Sequence, residues 1–146
     1  MTLELSAAAI VIALGLFHVF LQAGEYRRVH GYGYANTAQD KPSDKPDSLL
    51  LGRLTRALRN LNETLPFFLG IVLILAVARV STPVTQIAAL VFVAARILYL
   101  PLYALGVPNL RGLVWTISFF ALATLVGSAL VLIDWTAFAA LGRAAS

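Results

Sequence analysis

The sequence predicts an all-α integral membrane protein built as a four-helix bundle, and three observations predict it. Of the 146 residues, 60% are hydrophobic, and the mean hydropathy is +0.83. A soluble domain is only about 45–50% apolar, and a fold this small leaves too much of its area in water to hide the surplus. The apolar residues also fall into four runs of about 20, the length a helix needs to cross the hydrocarbon core. Finally, the one clearly polar stretch lies between the first two runs. The length fits a single domain over 1–146.

The first helix is expected over about 4–26. His18 and Gln22 interrupt an otherwise apolar run. A signal peptide would need a basic start and a small-residue cleavage site. The chain opens Met1-Thr2-Leu3-Glu4 instead, so the helix is read as retained. A polar loop over about 27–47 follows, where Gly31-Tyr32-Gly33 and the alternating charges from Asp40 to Asp47 mark solvated chain.

The second helix is expected over about 48–80, with Pro66 as a kink point near its entry into lipid. The third covers about 82–105. Ser81 or Thr82 can cap it, and Pro83 suits the first helical position. Pro101 should bend it. Gly106-Val107-Pro108-Asn109 is a turn. The fourth covers about 110–134, and the Ala-rich tail to Ser146 is expected to prolong it beyond the lipid.

The net charge is +4 and the isoelectric point about 9.9. No long basic run interleaves with aromatics, which excludes the usual nucleic-acid footprint. Excess Arg and Lys instead sets membrane orientation. One side carries Arg27, Arg28, Lys41, Lys45, Arg53, Arg56, Arg59 and Arg111. The other carries Arg79 and Arg143. The long loop is therefore expected in the cytoplasm and both termini opposite. There is no cysteine, so thiol chemistry would need a borrowed thiol. His18 and His30, without a carboxylate cluster, make no metal site. No inverted repeat suggests a transporter.

Polar groups inside apolar helices are costly and face a protein interior or a site. Arg56, Arg59, Asn60 and Glu63 fall at i, i+3, i+4 and i+7, on one helix face. They read either as an interfacial stripe, with Glu63 paired to Arg59, or as a net positive surface for a carboxylate ligand carrying one ammonium. Arg96, Tyr99 and Tyr103 share a face of the third helix. Arg96 reads either as a structural partner of Glu63 or as part of the same anion site. Arg111 reads either as a membrane anchor or, at a helix N-terminus, as a group that stabilises an anion. His18 reads as a packed histidine.

Arg56-Ala57-x-Arg59-Asn60-x-x-Glu63-Thr64 with Pro66-Phe67 resembles the second-helix signature of the MAPEG family, the membrane-associated proteins of eicosanoid and glutathione metabolism. Ala95-Arg96-x-x-Tyr99-x-x-x-Tyr103, then Gly106 and Leu110-Arg111, resembles its third- and fourth-helix pattern. The resemblance implies a microsomal glutathione transferase-like homotrimer, with glutathione as co-substrate bound between subunits. It implies that Arg56, Arg59, Asn60, Glu63, Arg96, Tyr99 and Tyr103 hold the tripeptide. It implies that Arg111 stabilises its thiolate, with Arg27 or Arg28 joining the site. Tyr99 and Trp115 depart from residues common in the family, histidine and tyrosine respectively. The function implied is a glutathione-dependent transferase or peroxidase acting on a hydrophobic electrophile or lipid hydroperoxide. The alternative is a non-catalytic protein holding lipid or fatty-acid head groups with the same arginines.

Overall fold

The computed structural model describes residues 1–134 and Thr136. The expected helical tail to Ser146, and Arg143 with it, lie outside the described residues. The described residues form four long helices and one short one: α1 (Leu3–His30), α2 (Tyr32–Ala35), α3 (Leu49–Val77), α4 (Pro83–Leu105) and α5 (Pro108–Leu130). The four long helices are each long and apolar enough to cross a membrane.

Local chemistry sets where each helix begins. The Thr2 hydroxyl accepts from Leu5 N at the start of α1, and Ser48 does the same for Leu51 N at the start of α3. Thr82 and Thr85 form a reciprocal capping box on α4, with Pro83 in its first turn. Each cap occupies a backbone donor that has no partner inside the helix.

The ends differ from the sequence expectation, for reasons that lie in the backbone. α1 runs on to His30 rather than stopping at 26. Glu25 pairs with Arg28 one turn away, and Arg27, Arg28 and His30 place positive or protonatable groups at the carbonyl end of the helix. The loop expected to be solvated chain contains α2, and His30 bonds Ser43 and Asp47 through its two ring nitrogens. α3 ends at Val77, three residues before 80, because Arg79 turns to a φ of 56° and the Val80 N–H bonds back to the Leu75 carbonyl. α5 ends at Leu130 rather than 134, where the chain tightens into bonds from Leu132 N to Ala129 O and from Ile133 N to Leu130 O. α3 and α4 stay helical through Pro66 and Pro101.

α4 packs most extensively on α5, and α1 on α3. α3 also touches α4 and α5, α1 touches α4, and α1 and α5 share no contact among the described residues. The bundle is thus a four-sided ring with α3 and α4 across its short diagonal. One apolar cluster includes Val11, Leu61, Phe68, Phe92 and Leu125, with Phe68 stacked on Phe92 at 4.1 Å. A second includes Leu54, Ala57, Tyr99, Leu100 and Tyr103. Many large apolar side chains point outward instead, among them Phe20, Phe67, Val77 and Leu105. Such an outer surface suits lipid, where it costs nothing.

Polar clasps close both ends. At the loop end, buried Glu25 accepts both Nε and Nη2 of Arg28 and the Ser48 hydroxyl. At the other end, buried Glu4 accepts from Ser81 and Thr85. A carboxylate so provided with donors can remain inside a bundle.

Candidate functional site

At the loop end of the bundle, α3, α4 and the first turns of α5 line a shallow, open pocket of about 260 Å³ formed by Asn60, Tyr99, Tyr103, Arg111, Gly112 and Trp115. Helical spacing brings them together. Tyr99 and Tyr103 are one turn apart on α4, with ring centroids 5.4 Å apart in an edge-to-face contact. Arg111 lies in the first turn of α5, which the Gly106 turn folds back against α4. Its guanidinium carbon sits 4.6 Å from the Tyr103 ring centroid. The Arg56 guanidinium approaches the same ring at 6.0 Å from α3. Two cations therefore flank one aromatic ring at the mouth of a hydroxyl- and amide-bearing pocket. The pair repel each other and together favour an anion.

Asn60 connects this pocket to the interior. Its Oδ1 accepts from Arg96 Nη1 at 2.8 Å. Arg96 is 1% exposed and is sealed behind the pocket, its guanidinium carbon 5.2 Å from the Phe92 centroid and 5.7 Å from that of Tyr99. The expected pairing of Arg96 with Glu63 is not formed. The partner is Asn60, which points toward α4, whereas Glu63 lies on the outer side of α3.

Arg59 and Glu63 pair loosely at 3.7 Å, with their side chains 75% and 59% exposed. The stripe read on α3 thus divides. Asn60 faces the pocket, Arg56 its mouth, and Arg59 and Glu63 the outside of the chain. Of the two arginines after the first helix, Arg28 is held by Glu25, and Arg27 lines a separate groove with Gln22, Tyr26 and Gln39.

Residues 5–131 match the MAPEG family, nearly the whole chain. The chain belongs to the MAPEG family. No curated protein matches it.

Within this MAPEG bundle, Gly112 is the pocket residue that the sequence did not single out; it follows Arg111 directly, and that adjacency was the available signal. Trp115, which stands where the family commonly has a tyrosine, lies one turn beyond Arg111 in the same pocket. Trp115 also walls a second space. A groove of about 510 Å³ runs along α3 and α5 between Glu63, Thr64, Phe67, Trp115, Phe119 and Leu130. Trp115 stacks on Phe119 at 5.5 Å. One indole therefore separates a donor-rich pocket from an apolar groove open to the lipid-facing surface.

Proposed function

We propose that this MAPEG protein is a membrane-bound glutathione-dependent transferase or peroxidase. The observation that carries the reading is the donor-rich pocket of Asn60, Tyr99, Tyr103 and Arg111 set against the apolar groove across Trp115. Glutathione has two carboxylates, one ammonium and one thiol. Arg56, the two tyrosine hydroxyls and the Asn60 amide supply donors of the kind its carboxylates need. Glu63 supplies the carboxylate its ammonium needs. Arg59 and Glu63 face outward, which supports a homotrimer whose neighbouring subunit completes each site.

Bound glutathione supplies the nucleophilic sulfur the chain lacks. Arg111 lies where a guanidinium and the N-terminal dipole of α5 act together, and both favour a thiolate. Trp115 keeps water from the sulfur side and lends its face to a lipophilic electrophile or hydroperoxide entering from the groove. Arg96 holds Asn60 in place from behind. The excess of Arg and Lys at the loop end supports a cytoplasmic loop and opposite termini.

Titration calorimetry of the detergent-purified protein with glutathione tests the reading, coupled to conjugation of a generic electrophile. Saturable binding with turnover is the expected result. No binding heat overturns it. The same groove also suits an acyl chain with its head group among the arginines. Native mass spectrometry showing a retained lipid and no glutathione would establish that second reading.

A further inference from the structure

The two apolar clusters do not merge, and the gap between them falls at the same level on all four long helices. On α1 the first cluster ends at Val11 and the second is met at Leu21; on α4 the limits are Val93 and Tyr99. On α3 the second cluster ends at Ala57 and the first begins at Leu61; on α5 they are met at Trp115 and Ala121. The gap holds one inward-facing polar residue from each helix, His18, Asn60, Arg96 and Ser118, while Arg59 and Thr116 at the same level are exposed. His18 is 3% exposed, and Arg96 and Ser118 are each 1% exposed.

This layer is under-satisfied by protein. Both ring nitrogens of His18, and Nε and Nη2 of Arg96, are buried without a protein hydrogen-bond partner among the described residues. Nε and Nη2 form one edge of the guanidinium. Arg28 uses that same edge to grip Glu25, with two bonds of 2.7 Å. α1 packs on α4, and His18 and Arg96 are both buried at this level. The Ser118 hydroxyl donates to Trp115 O at 2.8 Å, which leaves its oxygen free to accept. A buried polar group left unmatched is destabilising.

We infer that this layer is a buried water-binding site in which water joins the Nε/Nη2 edge of Arg96 to His18. Water matches the mixed chemistry. It accepts from the guanidinium and donates to the unprotonated nitrogen of a neutral imidazole. A buried water needs two to four polar partners, and the layer provides them. The nitrogens are closed off within a single chain, so neither a second copy nor a large ligand reaches them. Asn60 belongs both to this layer and to the pocket. His18 is therefore a positioning residue: through water it orients Arg96, and through Arg96 it orients Asn60.

The test uses the full chain in detergent and needs no glutathione, so it stands or falls apart from the proposed activity. Wild type, His18→Phe and His18→Gln are compared by thermal unfolding. Wild type labelled with ¹⁵N-histidine is examined for magnetisation transfer from water to the ring, with the His18 signal assigned by its loss in H18Q. The expected result is a persistent water contact at the His18 ring, a Tm for H18F lower by about 3–8 °C, and recovery of at least half the loss in H18Q. If H18F does not fold, the water contact in wild type and the near-native Tm of H18Q decide. No water contact together with an H18F Tm at or above wild type means a dry, packed histidine and overturns the inference. A Tm that climbs with chloride but not with gluconate means an anion in place of water and overturns it too.

Discussion

Arg96 Nη1 donates to Asn60 Oδ1 at 2.8 Å, and this single bond ties α4 to α3 behind the polar pocket. Among the described residues Arg96 bonds no carboxylate and relies on Asn60 and two aromatic faces. Asn60→Ala strands another donor of a buried cation. Removing a hydrogen bond to a charged group costs about 1.5–3 kcal/mol. N60A should therefore lose about 2 kcal/mol of stability, read from thermal or denaturant unfolding in detergent. Arg96→Met in the N60A background should add less than R96M does alone, because the two residues share one interaction. Fully additive losses would mean the bond contributes nothing.

The turn from α4 to α5 makes a second, local prediction. Gly106 has a φ of 77°, a left-handed conformation that costs a residue with a side chain about 1–2 kcal/mol. A Cβ there would also overlap the Arg53 guanidinium. That guanidinium donates Nη1 to the Ala104 carbonyl at 3.0 Å, satisfying a C-terminal acceptor of α4. Gly106→Ala should lower stability by about 2–3 kcal/mol, combining the backbone strain with the lost bond. G106A/Arg53→Ala should recover nothing beyond the steric part. A G106A protein that melts like wild type would show that the turn relaxes without cost.

These residues show what the sequence could and could not reveal. The four crossings were legible because bulk hydrophobicity over about 20 residues is hard to mistake. The family pattern also marked Asn60, Tyr99, Tyr103 and Arg111, which the structure gathers at one pocket. Helix ends were less legible. The stop at Val77 depends on Arg79 taking a positive φ, which an arginine seldom does. Partner choice between helices was not legible either. The sequence offered Glu63 as the structural partner of Arg96, and only the rotation of α3 against α4 brings Asn60 to it instead. The layer of His18 and Ser118 requires the register of all four helices at once, which no single run of residues encodes.

Arg59 and Glu63 test whether the outer face of α3 belongs to the site. Their contact is loose and exposed, and such pairs contribute at most about 1 kcal/mol to stability. Arg59→Ala should therefore leave the melting temperature nearly unchanged, yet weaken glutathione binding about tenfold, the worth of one charged hydrogen bond. Arg79→Ala, at the opposite end of the bundle, should change neither. Calorimetry on both variants makes the comparison. Equal affinities for R59A and R79A would remove the outer stripe from the binding surface, and with it the main support for a site shared between subunits.

Arg111 carries the sharpest claim about chemistry. It sits in the first turn of α5, and its guanidinium lies over Tyr103 in a pocket that also holds Asn60 and Trp115. If its role is to favour the thiolate, its loss should act on the reaction more than on binding. Arg111→Ala should keep glutathione affinity within about threefold of wild type and lower kcat for conjugation by about 10²–10³, the usual effect of deleting one electrostatic stabiliser. Arg111→Lys should recover part of kcat, since a point charge remains although the planar fork is lost. The ultraviolet absorbance of bound thiolate should fall in R111A in step with kcat. A variant that loses affinity and kcat/KM together while its kcat holds would assign Arg111 to binding the tripeptide, and the thiolate would then owe its stability to the α5 N-terminus alone.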